Sequence, residues 1–70
     1  MTFKNDQERI RIGILIKELR TKRGYTQRQL SESSGVSVQN ITKIEHGRYN
    51  ASVDILGRIA AALGATIKIE

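Results

Sequence analysis

Apolar residues recur every three or four positions along most of the chain, which predicts four amphipathic helices. Asparagine, threonine or serine precedes each periodic segment and glycine follows it, as is typical of helix caps. The predicted helices cover about residues 6–23, 27–34, 38–46 and 53–63. No proline interrupts the chain, so we expect uninterrupted helices with short connections.

The last six residues change from helical periodicity to alternation, with Ile67 and Ile69 two positions apart. This pattern predicts a β-strand over about residues 65–70. No other segment is typical of a strand, so we expect pairing with the same strand of a second copy across a two-fold axis. Ile67, Ile69 and Val53 would then form the dimer interface; the alternative is that these terminal residues fray in water.

Length and composition indicate one small all-α domain over residues 1–70: a compact four-helix fold with a short C-terminal strand. The absence of cysteine excludes disulfides and thiolate metal sites, and His46 as the single histidine excludes a histidine metal cluster. We therefore expect no metal and no cofactor. The sequence has no membrane-spanning run and no signal-peptide pattern, so a cytoplasmic protein without a membrane partner is expected.

The charge balance favours an anionic partner. Twelve lysines and arginines against seven acidic residues give a net charge of +5 and a pI near 10.1. This excess suits nucleic acid, although an anionic membrane or an acidic protein would suit it equally. An enzyme has the least support, because the chain has no cysteine nucleophile, no glycine-rich phosphate loop and no evident acid partner for its histidine. No catalytic residue is predicted.

The second and third predicted helices are joined by a tight turn at Gly35 and Val36. Two short helices joined in this way have the layout of a helix-turn-helix, whose second helix enters the major groove of DNA. Between Ser33 and Ile44 there is no aspartate or glutamate, so no carboxylate in that stretch repels phosphate.

A longer ordered pattern surrounds this turn. It consists of Leu19-Arg20, Gly24-Tyr25-Thr26-Gln27, Leu30, Gly35-Val36-Ser37, Ile41, Ile44-Glu45-His46-Gly47 and Ile59-Ala60-Ala61-Ala62-Leu63-Gly64. With it, residues 8–64 resemble the lambda-repressor-like (Xre/Cro) helix-turn-helix domain of bacterial and phage regulators. Ser31 stands where the family usually has alanine, but serine is small enough to let two helices cross closely. The resemblance implies a transcriptional regulator, most simply a repressor, that binds specific double-stranded DNA.

Carried over by position, the resemblance implies two sets of DNA contacts. The residues expected to contact bases are Ser37, Val38, Gln39, Asn40 and Lys43. Those expected to contact phosphates are Gln27, Arg28, Thr42, Arg48, Tyr49 and Asn50. Side-chain amides pair bidentately with adenine, Lys43 suits either guanine or a phosphate, and the methyl groups of valine suit a thymine methyl. The alternative interpretation is that these polar residues only form the solvent-exposed outer face of the helix. The resemblance also implies an ion pair between Arg20 and Glu45 that links the first helix to the third.

A two-fold dimer places two recognition helices about one DNA turn apart, so we expect a homodimer on a palindromic operator. The alternative function is an antitoxin that binds both operator DNA and a cognate toxin protein. A protein-binding adaptor without DNA binding would have acidic or apolar residues on the outer face of the third helix. Gln39, Asn40 and Lys43 argue against that interpretation.

Overall fold

The computed structural model describes residues 6–65, and within them the chain forms four helices. They are α1 (Asp6–Lys22), α2 (Gln27–Ser34), α3 (Val38–Glu45) and α4 (Val53–Ala62). The all-helical class is therefore confirmed for the described range. Helices α1, α3 and α4 each end one residue earlier than expected. Residues 66–70, which hold most of the predicted strand with Ile67 and Ile69, lie outside the described residues.

Side-chain caps fix where the short helices begin. Thr26 and Gln29 form a capping box: the Gln29 N–H donates to Thr26 Oγ1 at 3.0 Å, and the Thr26 N–H donates to Gln29 Oε1 at 2.9 Å. Ser37 and Ser52 cap α3 and α4 in the same way, each accepting a backbone N–H at 3.2 Å. Gly35 ends α2 at φ 76°, a left-handed conformation that glycine adopts without a Cβ penalty. Only three residues therefore separate the end of α2 from the start of α3.

A single apolar cluster joins the four helices. Its buried members are Ile12, Ile16, Leu30, Val36, Ile41, Ile44, Ala51, Leu56, Ile59 and Leu63. Val36 fills the space at the α2–α3 turn and is only 5% exposed. The neighbouring Ser34 is also buried, and its Oγ accepts the Val36 N–H at 3.1 Å. This small core holds α3 against the other helices and leaves one face of α3 exposed to solvent.

Helix α1 approaches the C-terminal end of α3 closely at Gly13, a contact that the sequence did not indicate. A Cβ at Gly13 would overlap the carbonyl oxygen of Ile44 and lie 3.0 Å from that of Glu45. Both obstructing atoms belong to the backbone, so no side-chain rotation could remove the overlap. The absent side chain at Gly13 therefore sets the distance between α1 and α3.

Within residues 6–65, no helix combines the length and the apolar character needed to cross a membrane. The same range contains no group of three or more histidine, cysteine, aspartate or glutamate side chains placed to hold a metal ion.

Candidate nucleic-acid interface

The outer face of α3 presents short polar, apolar and cationic groups side by side. Val38, Gln39 and Lys43 are exposed, and Thr42 is half-buried. Val38 and Gln39 lie one turn before Thr42 and Lys43, so the four side chains share one face of the helix. They line a shallow surface depression. The structure thus brings together three of the residues expected to contact bases and adds Thr42 to them.

The other two predicted base contacts lie at the beginning of α3. Ser37 is exposed, and its Oγ accepts the Asn40 N–H at 3.2 Å. The Asn40 side chain is half-buried, so it is less accessible than Gln39.

Glu45, at the end of α3, is the only carboxylate on that helix, and its side chain is 2% exposed. The structure brings Arg20 to it: Nε lies 2.6 Å from Oε2, and Nη2 donates to Oε1 at 3.1 Å. A third donor, Arg20 Nη1, bonds the Tyr25 carbonyl oxygen at 2.8 Å. This bidentate pair joins α1, the α1–α2 connection and α3. It also neutralises the one negative charge that α3 carries.

Gln27 extends this pair into a network that sequence reasoning missed. Its Nε2 donates to Glu45 Oε1 at 3.0 Å, and its Oε1 accepts the hydroxyl of Thr42 at 3.0 Å. Gln27 and Thr42 are both predicted phosphate contacts, and in the structure their side chains bond to each other. The physical reason is the buried carboxylate, which needs several donors to offset its lost hydration.

The remaining predicted phosphate contacts differ in accessibility. Arg28 is exposed, with its guanidinium 4.0 Å from Glu32, and Arg48 and Asn50 are exposed beyond α3. Tyr49 is half-buried because it packs against the core. The structure therefore assigns Tyr49 a packing role that its position in the sequence did not indicate.

Val53, the described member of the predicted dimer interface, is 47% exposed at the start of α4. Its expected companions, Ile67 and Ile69, lie outside the described residues. The pairing of two copies therefore stays a prediction.

Comparison with known proteins finds a helix-turn-helix family model that matches residues 16–69. An uncharacterised HTH-type transcriptional regulator of Methanothermobacter thermautotrophicus is 48% identical over 50 residues, 71% of this chain and 72% of that protein. The immunity repressor protein of Bacillus phage phi105 is 39% identical over 56 residues, which cover 80% of this chain but 39% of the repressor.

Two solved structures have the same fold. The restriction-modification controller protein C.AhdI from Aeromonas hydrophila superposes with a TM-score of 0.83 at 28% identity, over 86% of this chain and 91% of that one. The clp gene regulator ClgR from C. glutamicum gives a TM-score of 0.81 at 34% identity, over 84% of this chain and 76% of that one.

Proposed function

Because this chain belongs to the helix-turn-helix family of DNA-binding transcriptional regulators, we propose that it recognises a specific double-stranded sequence through α3 in the major groove. The proposal rests on one observation. The accessible face of α3 offers Gln39, Lys43 and Val38, while the only carboxylate of α3 is covered by Arg20. Such a face presents groups that bind base edges and no charge that repels phosphate.

Each accessible group on α3 has a base partner of matching chemistry. The Gln39 amide can donate to N7 and accept from N6 of one adenine, and Lys43 can donate to O6 and N7 of guanine. The Ser37 hydroxyl keeps its proton for a base or a phosphate, because its oxygen acts as the acceptor in the helix cap. Asn40, half-buried behind these groups, is the weakest of the proposed base contacts.

Phosphate contacts are proposed from the two ends of the motif. The Gln27 backbone N–H lies in the first turn of α2, where amides have no intrahelical acceptor and favour an anion. Arg28 lies beside it, and Arg48 and Asn50 follow α3, all exposed. These groups hold the DNA backbone and carry no sequence information themselves.

A homodimer on a palindromic operator is the assembly that we propose. Val53 is exposed at the start of α4, and the alternation of residues 65–70 favours a strand that pairs with its copy. Two α3 helices in one dimer would reach successive major grooves on one side of the DNA. Repression is the proposed outcome, supported by the similarity to a phage immunity repressor, and the cytoplasm is the proposed place of action.

An antitoxin is the second candidate. Ile10 and Ile14 are 48% and 53% exposed on α1, which is an apolar surface that a toxin protein could cover. A stoichiometric complex with the product of an adjacent gene, in which Ile14→Asp abolishes the complex but leaves DNA binding intact, would favour this function. Normal growth of cells that lack this protein would argue against it.

Selection of bound sites from random double-stranded DNA tests the proposed function directly. We expect a palindrome whose half-sites are about one helical turn apart, since the two α3 helices must enter neighbouring turns of the groove. A Gln7→Ala variant is a suitable control, because Gln7 is exposed at the start of α1. If the selection enriches no sequence, sequence-specific binding is contradicted. If it enriches only a single half-site, the dimer is contradicted.

A further inference from the structure

The depression on α3 offers more than a general polar surface, and its chemistry indicates which base group it binds. We propose that the depression lined by Val38, Gln39, Thr42 and Lys43 receives the 5-methyl group of a thymine. This inference rests on the proposed function. In this assignment Thr42 is a specificity-determining residue.

Two of the four lining residues supply apolar surface. Val38 is at the first position of α3 and is 38% exposed. Thr42 lies four residues later, one turn along the same face. Core packing does not require Val38 to be valine, because its side chain is not buried with the cluster. An exposed β-branched residue next to a threonine offers a small apolar contact at the DNA-facing surface.

The hydroxyl of Thr42 is already used within the protein. It donates its only proton to Gln27 Oε1 at 3.0 Å, while Gln27 Nε2 is held at 3.0 Å by Glu45 Oε1. Glu45 is in turn held by Arg20. Both ends of the Gln27 amide are therefore fixed, and they fix the orientation of the Thr42 side chain. Thr42 has no proton left to donate to a base, so it offers the groove only its methyl group and the acceptor side of its oxygen.

In the major groove, thymine differs from the other bases by an exposed methyl group at C5. An open, mainly apolar depression flanked by an amide at Gln39 and an ammonium at Lys43 can accommodate this group and leaves both polar chains free for neighbouring bases. Replacement of thymine by uracil removes only the methyl group and keeps the hydrogen-bonding edge unchanged. It therefore tests the depression without disturbing the rest of the interface.

The experiment uses the full chain and the DNA site selected from random sequence, with each thymine replaced singly by deoxyuridine. We expect one thymine per half-site at which uracil lowers the affinity about fourfold, the effect of burying one methyl group. Val38→Ala should bind the thymine-containing site and its uracil counterpart with equal affinity. Thr42→Ser, which keeps the hydroxyl and removes the methyl group, should lose most of the preference for thymine over uracil. Ile14→Ala, which alters an exposed apolar residue outside the depression, should keep the full fourfold difference.

Thr42→Val is the complementary variant, since it keeps a methyl group but removes the hydroxyl that bonds Gln27. A preserved preference for thymine in Thr42→Val, together with its loss in Thr42→Ser, would show that the methyl group makes the contact. Equal affinity for thymine and uracil at every position in the unmodified protein would overturn the inference while leaving DNA binding intact. An unchanged thymine preference in Val38→Ala would overturn it as well. Failure to select any site would instead reject the proposed function.

Discussion

Gly13→Ala probes the contact that sets the position of α3. The new Cβ would overlap the Ile44 carbonyl oxygen and lie 3.0 Å from that of Glu45, so α1 and α3 must move apart. Gly57→Ala is the matched control, because Gly57 lies within α4 and a Cβ there has no neighbour within 4 Å. Both substitutions replace a helical glycine with alanine, and they differ only in what the added carbon meets.

The expected magnitudes follow from two opposing effects. Alanine in place of glycine in a helix stabilises the fold by about 0.8–1.0 kcal/mol, and this should be the whole effect at Gly57. Overpacking costs about 1–3 kcal/mol, and at Gly13 we expect the upper end because the obstructing atoms are backbone. The free energy of unfolding should therefore fall by about 2 kcal/mol in Gly13→Ala, the difference between about 3 and about 1.

Urea denaturation followed by far-ultraviolet circular dichroism measures both changes. The two variants should differ by about 3 kcal/mol in the free energy of unfolding. Each kcal/mol corresponds to roughly 4–8 °C in Tm for a domain of this size, so thermal melts should separate them clearly. Equal stabilisation of Gly13→Ala and Gly57→Ala would refute the close approach of α1 to α3.

Three further predictions follow from other parts of the molecule. Arg20→Ala should lower the free energy of unfolding by about 3 kcal/mol in urea denaturation, because it leaves the Glu45 charge buried and unpaired. Arg58→Ala, which breaks an exposed ion pair, should change the free energy of unfolding by less than about 1 kcal/mol. Similar losses of stability in the two variants would contradict the distinction between the buried and the exposed pair. Arg48→Ala should weaken binding to all DNA sequences evenly and reduce the salt slope by about 0.9; an unchanged slope would exclude a phosphate contact. Deletion of residues 65–70 should shift sedimentation toward the monomer, whereas an unchanged profile would reject strand pairing.

Local signals in the sequence predict where the helices begin, and they predict where the helices end to within one residue. Thr26 and Ser37 cap helices because their hydroxyls reach amides three residues on, and Gly35 ends α2 because it adopts a left-handed backbone. These effects act over a few neighbouring residues, so spacing alone reveals them. The one-residue errors at the helix ends arise where a residue such as His46 caps α3 instead of continuing it.

Contacts between distant residues could not be predicted in the same way. Spacing along one helix does not reveal that Gln27 meets Thr42, or that Gly13 meets the end of α3. The Arg20–Glu45 pair was expected only because of the family resemblance, since an isolated arginine and glutamate 25 residues apart carry no signal of their own.

The central claim, that α3 recognises base sequence, is tested most directly by the affinity of Gln39→Ala for the selected site and for all its single-base variants. We expect a loss of about 1–3 kcal/mol on the preferred site and equal binding to all four bases at one position of each half-site. Gln7→Ala, measured in parallel, should keep the affinity and the base preference of the unmodified protein. An equal loss on every DNA sequence, with the base preference intact, would contradict the claim and show that Gln39 only holds the DNA backbone.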